Sequence, residues 1–231
     1  MSPAADRAAL LAMTRHELHA AARQYFKTAG PTEPEVALVE HGDICLVFKD
    51  YGRARGWFAR VVAPILIARE ASGLAHLHDV DGVPRLVRRV DRRGVLIEYC
   101  PGRPWGQARP SEAAYDRLAD LLATIHRAGI AHGDLRGGGN FLVDDNDRPY
   151  IVDFVARVKR GSAWNVVWNW VFARFVAADN SALVKLRARH APHLVSPAEK
   201  QAMAHRGRFE RLARAAGQAI RRATRHLAPR D

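Results

Sequence analysis

The chain has 231 residues, 48% of them apolar, enough to bury a sizeable core and to argue against a disordered protein. Two cysteines, Cys45 and Cys100, exclude a disulfide framework or a cysteine-rich metal module and suit a reducing compartment. The net charge of +12 sits almost wholly at one end: Lys159 to Asp231 holds fifteen Lys/Arg against four Asp/Glu, a net of +11, while the first 158 residues hold 21 against 20. An anionic partner is therefore expected at the C-terminal third: a lipid surface, a phosphorylated glycan or nucleic acid.

In chain order, Ser2-Pro3 opens a helical pattern carrying Leu11, Thr14, Leu18 and Tyr25, and Gly30-Pro31 stops it, which predicts one packing helix within residues 1–30. The short apolar run Ala8–Met13, flanked by Asp6 and Arg7, does not make a secretory signal. Val36 to Glu40 and Ile44 to Phe48 read as strands around the turn His41-Gly42-Asp43, and Lys49 ends the second of them. A helix over Val61 to Leu77 carries an internal acid, Glu70. After the break at Gly82-Val83-Pro84, Leu86 to Val90 and Gly94 to Glu98 form a second strand pair, and Tyr99-Cys100-Pro101-Gly102 leaves it abruptly. Ser111 caps a helix with Tyr115, Leu118, Leu121, Leu122 and Ile125 on one face, ending near Gly129 and feeding a loop at His132.

That loop reads His132-Gly133-Asp134-Leu135-Arg136, then three glycines and Asn140. A strand-like piece, Phe141-Leu142-Val143, follows it. Next come the turn Asp144-Asp145-Asn146-Asp147 and a second apolar piece ending at Asp153-Phe154. A hairpin with one acid before it and one at its far end brings Asp134, Asn140 and Asp153 to one edge. Such an edge suits one Asp that orients a hydroxyl while the Asn and the second Asp hold Mg²⁺ against the phosphates of ATP. Farther on, Trp164, Trp168, Phe172 and Phe175 share a helical face, for which core packing is the expectation and a membrane-interface role the alternative. The longest uncharged run, Gly161 to Ala173, is too short to span a bilayer. A last helix is expected over Ala198 to Leu227, with Phe209, Leu212, Ile220 and Leu227 on one face and a solvated Arg-rich remainder.

The order His132-Gly133-Asp134-Leu135, Asn140, Asp153-Phe154, with Lys49 and Glu70 upstream, resembles the protein-kinase-like superfamily. Lys49-Asp50-Tyr51, Arg69-Glu70-Ala71 and Glu98-Tyr99-Cys100-Pro101-Gly102 look like its compact bacterial branch, the lipopolysaccharide core (Kdo-type) kinases and RIO-like kinases. The resemblance implies an α+β, two-lobed fold with a reduced β-rich N-lobe and a helical C-lobe. Residues 1–231 then form a single kinase-like domain: an N-terminal helix (1–30), the N-lobe (36–98), the hinge and catalytic core (99–158) and a basic helical part (159–231). It implies ATP and Mg²⁺ as cofactors, Asp134 as catalytic base, and Asn140 and Asp153 as metal ligands. Lys49 would bind phosphates, positioned by Glu70, backbone groups near Glu98 and Cys100 would hold adenine, and His132 would brace the loop.

Three features depart from the usual kinase pattern. Asp134 and Asn140 are six residues apart, where the pattern has about five. Gly42 is the only glycine in the expected first hairpin, so no glycine-rich loop is read there. Val155 follows Asp153-Phe154, and no Ala-Pro-Glu follows. The expected activity is transfer of the ATP γ-phosphoryl to a hydroxyl, foremost a sugar of the lipopolysaccharide core. The alternatives are a RIO-like serine/threonine protein kinase and a non-catalytic pseudokinase or basic membrane adaptor. The expected location is the cytoplasm, peripheral at the inner face of the cytoplasmic membrane. An anionic acceptor or membrane surface is the expected partner, ahead of nucleic acid.

Overall fold

The structure, a computed structural model, describes residues 3–205. The chain divides into two compact units, Met1–Leu183 and Val184–Asp231. The first opens with two short helices, α1 (Pro3–Ala12) and α2 (Arg15–Ala20), and then a strand, β1 (Ala22–Lys27). The single helix expected over residues 1–30 is thus corrected. Thr14 stops it by forming a reciprocal capping box with Glu17. Beyond Ala21 the backbone pairs with β2 (Glu35–His41) instead of continuing the helix.

Strands β3 (Ile44–Asp50), β4 (Leu86–Arg89) and β5 (Gly94–Glu98) complete an antiparallel sheet of order β1-β2-β3-β5-β4. The hairpin read around Gly42 is present as β2–β3, but because β1 precedes β2 it is the second, and the first closes through residues 28–34 with Gly30. Leu10 of α1 and Leu18 of α2 are fully buried with Val39, Phe48 and Leu96, so the two short helices cover one face of the sheet. Burying each leucine stabilises the fold by about 1.5–3 kcal/mol, which holds helices too short to persist alone.

A π-helical turn, Phe58–Val62, leads into α3 (Ala63–His76), whose buried side includes Ile67, Glu70, Ala71 and Leu74. Next in the chain comes α4 (Glu112–Arg127), which buries Tyr115, Leu118, Leu122 and Ile125. Short strands follow: β6 (Arg103–Pro104), β7 (Ile130–Ala131), β8 (Phe141–Val143), β9 (Pro149–Ile151) and β10 (Val158–Lys159). The β8–β9 hairpin pairs Phe141 with Ile151 and turns through Asp144, whose carboxylate accepts the N–H groups of Asn146 and Arg148.

Helix α5 (Val166–His190) is longer than the aromatic stripe suggested. The expected core packing of that stripe is corrected: Trp164 is 83% exposed and precedes the helix, Trp168 is 45% exposed, and Phe172 is buried. In the first turns of α5, Trp168 and Asn169 contact the 159–162 loop, while Val166, Val167 and Trp170 stand exposed. In the second unit, Ser196 caps α6 (Pro197–His205) through mutual hydrogen bonds with Glu199. The expected helix to Leu227 and its arginines lie, beyond His205, outside the described residues. No described helix is long and apolar enough to cross a membrane.

Candidate active site

Lys49, near the end of β3, is buried, as is Glu70 on α3. The Lys49 ammonium donates to Glu70 Oε1 at 2.6 Å and to Asp153 Oδ1 at 2.9 Å. The second contact joins residues 104 positions apart. Burial alone would lower the Lys49 pKa, but the charges of Glu70 and Asp153 outweigh it and hold the ammonium well above its ordinary range. Burial pushes the Glu70 carboxyl up, and Lys49 opposes that. Glu70 Oε2 is buried with no hydrogen-bond partner, so the pair is only partly satisfied. Removing one partner of such a pair costs about 3–5 kcal/mol.

Asp153 occupies the left-handed region, φ 69° and ψ 67°, immediately after β9. Few residues other than glycine tolerate that conformation, Asp among them. It aims the carboxylate back towards Lys49. The Asp153 side chain is 44% exposed. Burial acts to raise its pKa, but Lys49 prevails, so the carboxyl is held below its ordinary value and stays ionised. Arg69 of α3 donates to the carbonyls of Val155 and Arg157, and Arg157 returns a bond to the Arg69 carbonyl. These bonds fix the segment after Asp153 to the helix that carries Glu70.

His132 ties Asp134 to Asp153. Its Nε2–H donates to the Val152 carbonyl at 2.9 Å, and its Nδ1 accepts the Asp134 N–H at 3.3 Å. The ring lies against Phe154, centroids 4.7 Å apart. That pair of bonds needs the neutral imidazole, and burial lowers the His132 pKa accordingly. Both Asp134 and Asp153 are near enough to act on the ring. The Asp134 side chain itself is exposed, open to an incoming group.

The six-residue spacing from Asp134 to Asn140 closes through a glycine turn. Gly138 takes φ 73°, its N–H donates to the Leu135 carbonyl, and the Phe141 N–H returns to the Gly138 carbonyl. That glycine turn absorbs the extra residue. Asn140 Nδ2 then donates to the Asp134 carbonyl at 2.8 Å, which leaves its oxygen as the atom for a hard cation. Among the described residues no three His, Cys, Asp or Glu side chains form a metal cluster. The Val152 N–H donates to the Asn140 carbonyl at 3.1 Å, which ties the residue before Asp153 to Asn140; a carboxylate and a carboxamide are donor types suited to Mg²⁺, which keeps waters and takes phosphate oxygens to complete its shell.

Glu98 and Cys100 form a separate group at the exit of β5. The Glu98 carboxylate accepts the Arg85 N–H at 3.0 Å, and the Cys100 carbonyl accepts the Gly102 N–H at 2.8 Å. Cys100 is buried, and burial pushes its thiol up to about 12, so it is an inert thiol. Between them Tyr99 stacks on Phe26 of β1, rings nearly parallel and 6.4 Å apart. The strand that sequence reading missed therefore reaches the exit of β5.

A second residue escaped the sequence reading. Asp179 of α5 is buried, and it accepts the His132 N–H at 2.7 Å, the Gly133 N–H at 3.0 Å and His126 Nε2–H at 3.1 Å. It thus anchors the loop that carries Asp134. Gly133 sits at φ 80°, and a Cβ there would lie 2.9 Å from the Ala156 carbonyl, so only glycine lets the loop approach so closely. One signal was present in the sequence: Asp179 is the only acid between Asp153 and Glu199.

No family model matches this sequence, and no curated protein matches it. Solved structures do. The structure of the Rio2 kinase from Chaetomium thermophilum superposes with a TM-score of 0.58 at 17% identity, covering 91% of this chain and 76% of that one. The same organism's Rio2 kinase as an ADP/Mg²⁺-phosphoaspartate complex gives a TM-score of 0.58 at 18% identity, covering 93% and 78%. The fold is therefore protein-kinase-like, with an antiparallel N-lobe sheet and a helical C-lobe. It is the fold of RIO-like kinases.

Proposed function

We propose that this protein is an ATP- and Mg²⁺-dependent phosphotransferase acting on a hydroxyl. The observation that carries the reading is the Lys49 ammonium held between Glu70 and Asp153, beside a loop that exposes Asp134. In this reading Lys49 meets the α- and β-phosphates, and Glu70 fixes its position. Asp153 and Asn140 would hold Mg²⁺, which when bound supplies positive charge against the phosphate oxygens. Backbone groups at Glu98 and Cys100 would take the adenine, and the 28–34 hairpin would cover the phosphates. Asp134 accepts the acceptor's hydroxyl proton. The acceptor oxygen bonds to the γ-phosphorus, the bond to the bridging oxygen breaks, and ADP leaves.

The basic C-terminal third supports an anionic acceptor, of which a lipopolysaccharide-core sugar is the foremost candidate. The likeness to RIO-like kinases supports a protein serine or threonine as the second. The phosphoaspartate of the neighbouring Rio2 complex favours one more possibility, an Asp of this site taking the phosphoryl itself and passing it to water.

Radiolabelled ATP incubated with the protein, deacylated lipopolysaccharide and a generic protein substrate distinguishes these. Label should move to an acceptor, and Asp134→Asn should slow that by roughly 10²-fold or more while the fold is kept. Hydroxylamine-labile label on the protein would mark the aspartyl route. No transfer and no ATP hydrolysis would support the non-catalytic alternative.

A further inference from the structure

Five large apolar side chains stand exposed within seven residues: Trp164 (83%), Val166 (73%), Val167 (77%), Trp168 (45%) and Trp170 (57%). A cluster of this kind on a soluble surface marks a contact site. It is built, not frayed. Asn165 Oδ1 accepts the Trp168 N–H at 3.1 Å and so caps α5. Asn169 Oδ1 accepts the Gly161 N–H, and its Nδ2 donates to the Ser162 carbonyl. Trp168 Nε1–H donates to the Lys159 carbonyl at 2.9 Å. The loop that presents Trp164 is thus pinned to the first turn of the helix, with the indole outward.

Along the chain, the charge flanking the cluster has one sign. From Phe154 to Ala178 the chain carries Arg157, Lys159, Arg160 and Arg174 and no Asp or Glu. Arg174 lies over the Trp170 ring at 5.8 Å and Arg160 over Phe172 at 5.1 Å, so cations flank the aromatics. Indoles prefer the boundary between headgroups and acyl chains, where the ring is half apolar and half wet. Valines bury below that level, and Lys and Arg meet phosphates above it.

We propose that residues 164–170 with Lys159, Arg160 and Arg174 form a membrane-docking patch that seats the protein on an anionic bilayer. Trp164, Val166 and Val167 enter the interface, and the surrounding cations pair with lipid phosphates. The patch lies outside the Lys49–Glu70–Asp153 cluster and the Asp134 loop, so lipid binding and nucleotide binding can be lost separately.

The test is co-sedimentation of the full chain with vesicles of phosphatidylcholine alone or mixed with phosphatidylglycerol, at low and high salt. Binding should require phosphatidylglycerol and weaken with salt as the charges are screened. The triple variant Trp164→Ser, Val166→Ser, Val167→Ser should bind roughly tenfold or more weakly at equal salt, because interfacial binding scales with buried apolar area. All three positions are exposed, and an unchanged melting temperature verifies the fold. Wild-type-like vesicle binding by the triple variant would overturn the proposal. So would failure of the wild-type chain to bind phosphatidylglycerol vesicles while gel filtration shows self-association that the triple variant abolishes, because the patch would then serve a second copy of the chain.

Discussion

Two buried acids, Asp179 and Glu70, one in each lobe, are treated differently by their surroundings. Asp179, in the C-lobe, accepts three N–H groups, two of them from the loop backbone. Glu70, in the N-lobe, meets a single cation through one oxygen and leaves the other without a partner. A fully satisfied buried carboxylate rigidifies what it holds, whereas a partly satisfied one stays costly until something completes it. The difference teaches that the C-lobe side of the site is frame. The N-lobe acid instead holds a side chain, the Lys49 ammonium, and through it Asp153.

That contrast breaks most visibly at Asp179. Asp179→Ala strips the acceptor from two buried donors and one partly buried one, each worth about 1–3 kcal/mol when orphaned, so unfolding by urea should reveal a loss of about 4 kcal/mol or an unfolded protein. Asp179→Asn, which keeps one oxygen, should lose about half as much. If Asp179→Ala were as stable as wild type, the frame would lie elsewhere.

Glu70→Gln is the matching test on the other side. The amide oxygen still accepts from Lys49, so the expected cost is smaller, about 2 kcal/mol. The consequence for nucleotide should be larger than for stability, with weaker Mg²⁺-ATP binding by isothermal titration. A variant that lost stability but not nucleotide affinity would make Glu70 frame too.

The smallest effect concerns pH. His132 is held neutral between the Val152 carbonyl and the Asp134 N–H, and burial lowers its pKa from 6.5. A histidine depressed in the folded state contributes its full stability above its unfolded value and loses it as pH falls through the lower folded value. Unfolding free energy should therefore fall on acidification below about pH 6.5, by at most about 1.4 kcal/mol per pH unit from this one proton. His132→Gln should flatten that part of the profile, and an unchanged slope would place the titration in another group.

The parts legible in the sequence were those where chain order constrains chemistry. Asp134, Asn140 and Asp153 stand out by their order around a hairpin, Lys49 and Glu70 only through the resemblance to kinase-like proteins, and the structure joins Lys49 to both Glu70 and Asp153. The strand β1 was hidden because its residues after Ala22 are all exposed, giving no alternation to read; only pairing with β2 makes it a strand. Asp179 was hidden because two of its three donors are backbone groups, one of them 46 positions away, and no side-chain pattern announces those. The aromatic stripe at Trp164 was legible as a helix face, but periodicity does not say what covers a face. Its exposure is a property of the tertiary arrangement alone.

The most direct measurement is thermal melting with and without ATP and Mg²⁺, for wild type, Asp153→Ala and Asn140→Ala. At about a hundredfold excess over the dissociation constant, a ligand stabilises by about 2.7 kcal/mol, or roughly 5–10 °C for a chain of this size. Wild type should show that shift only with both ATP and Mg²⁺, Asp153→Ala should lose it, and Asn140→Ala should lose most of it. A Mg²⁺-independent shift, or one that survives Asp153→Ala, would contradict the assignment of this cluster as the nucleotide-metal site.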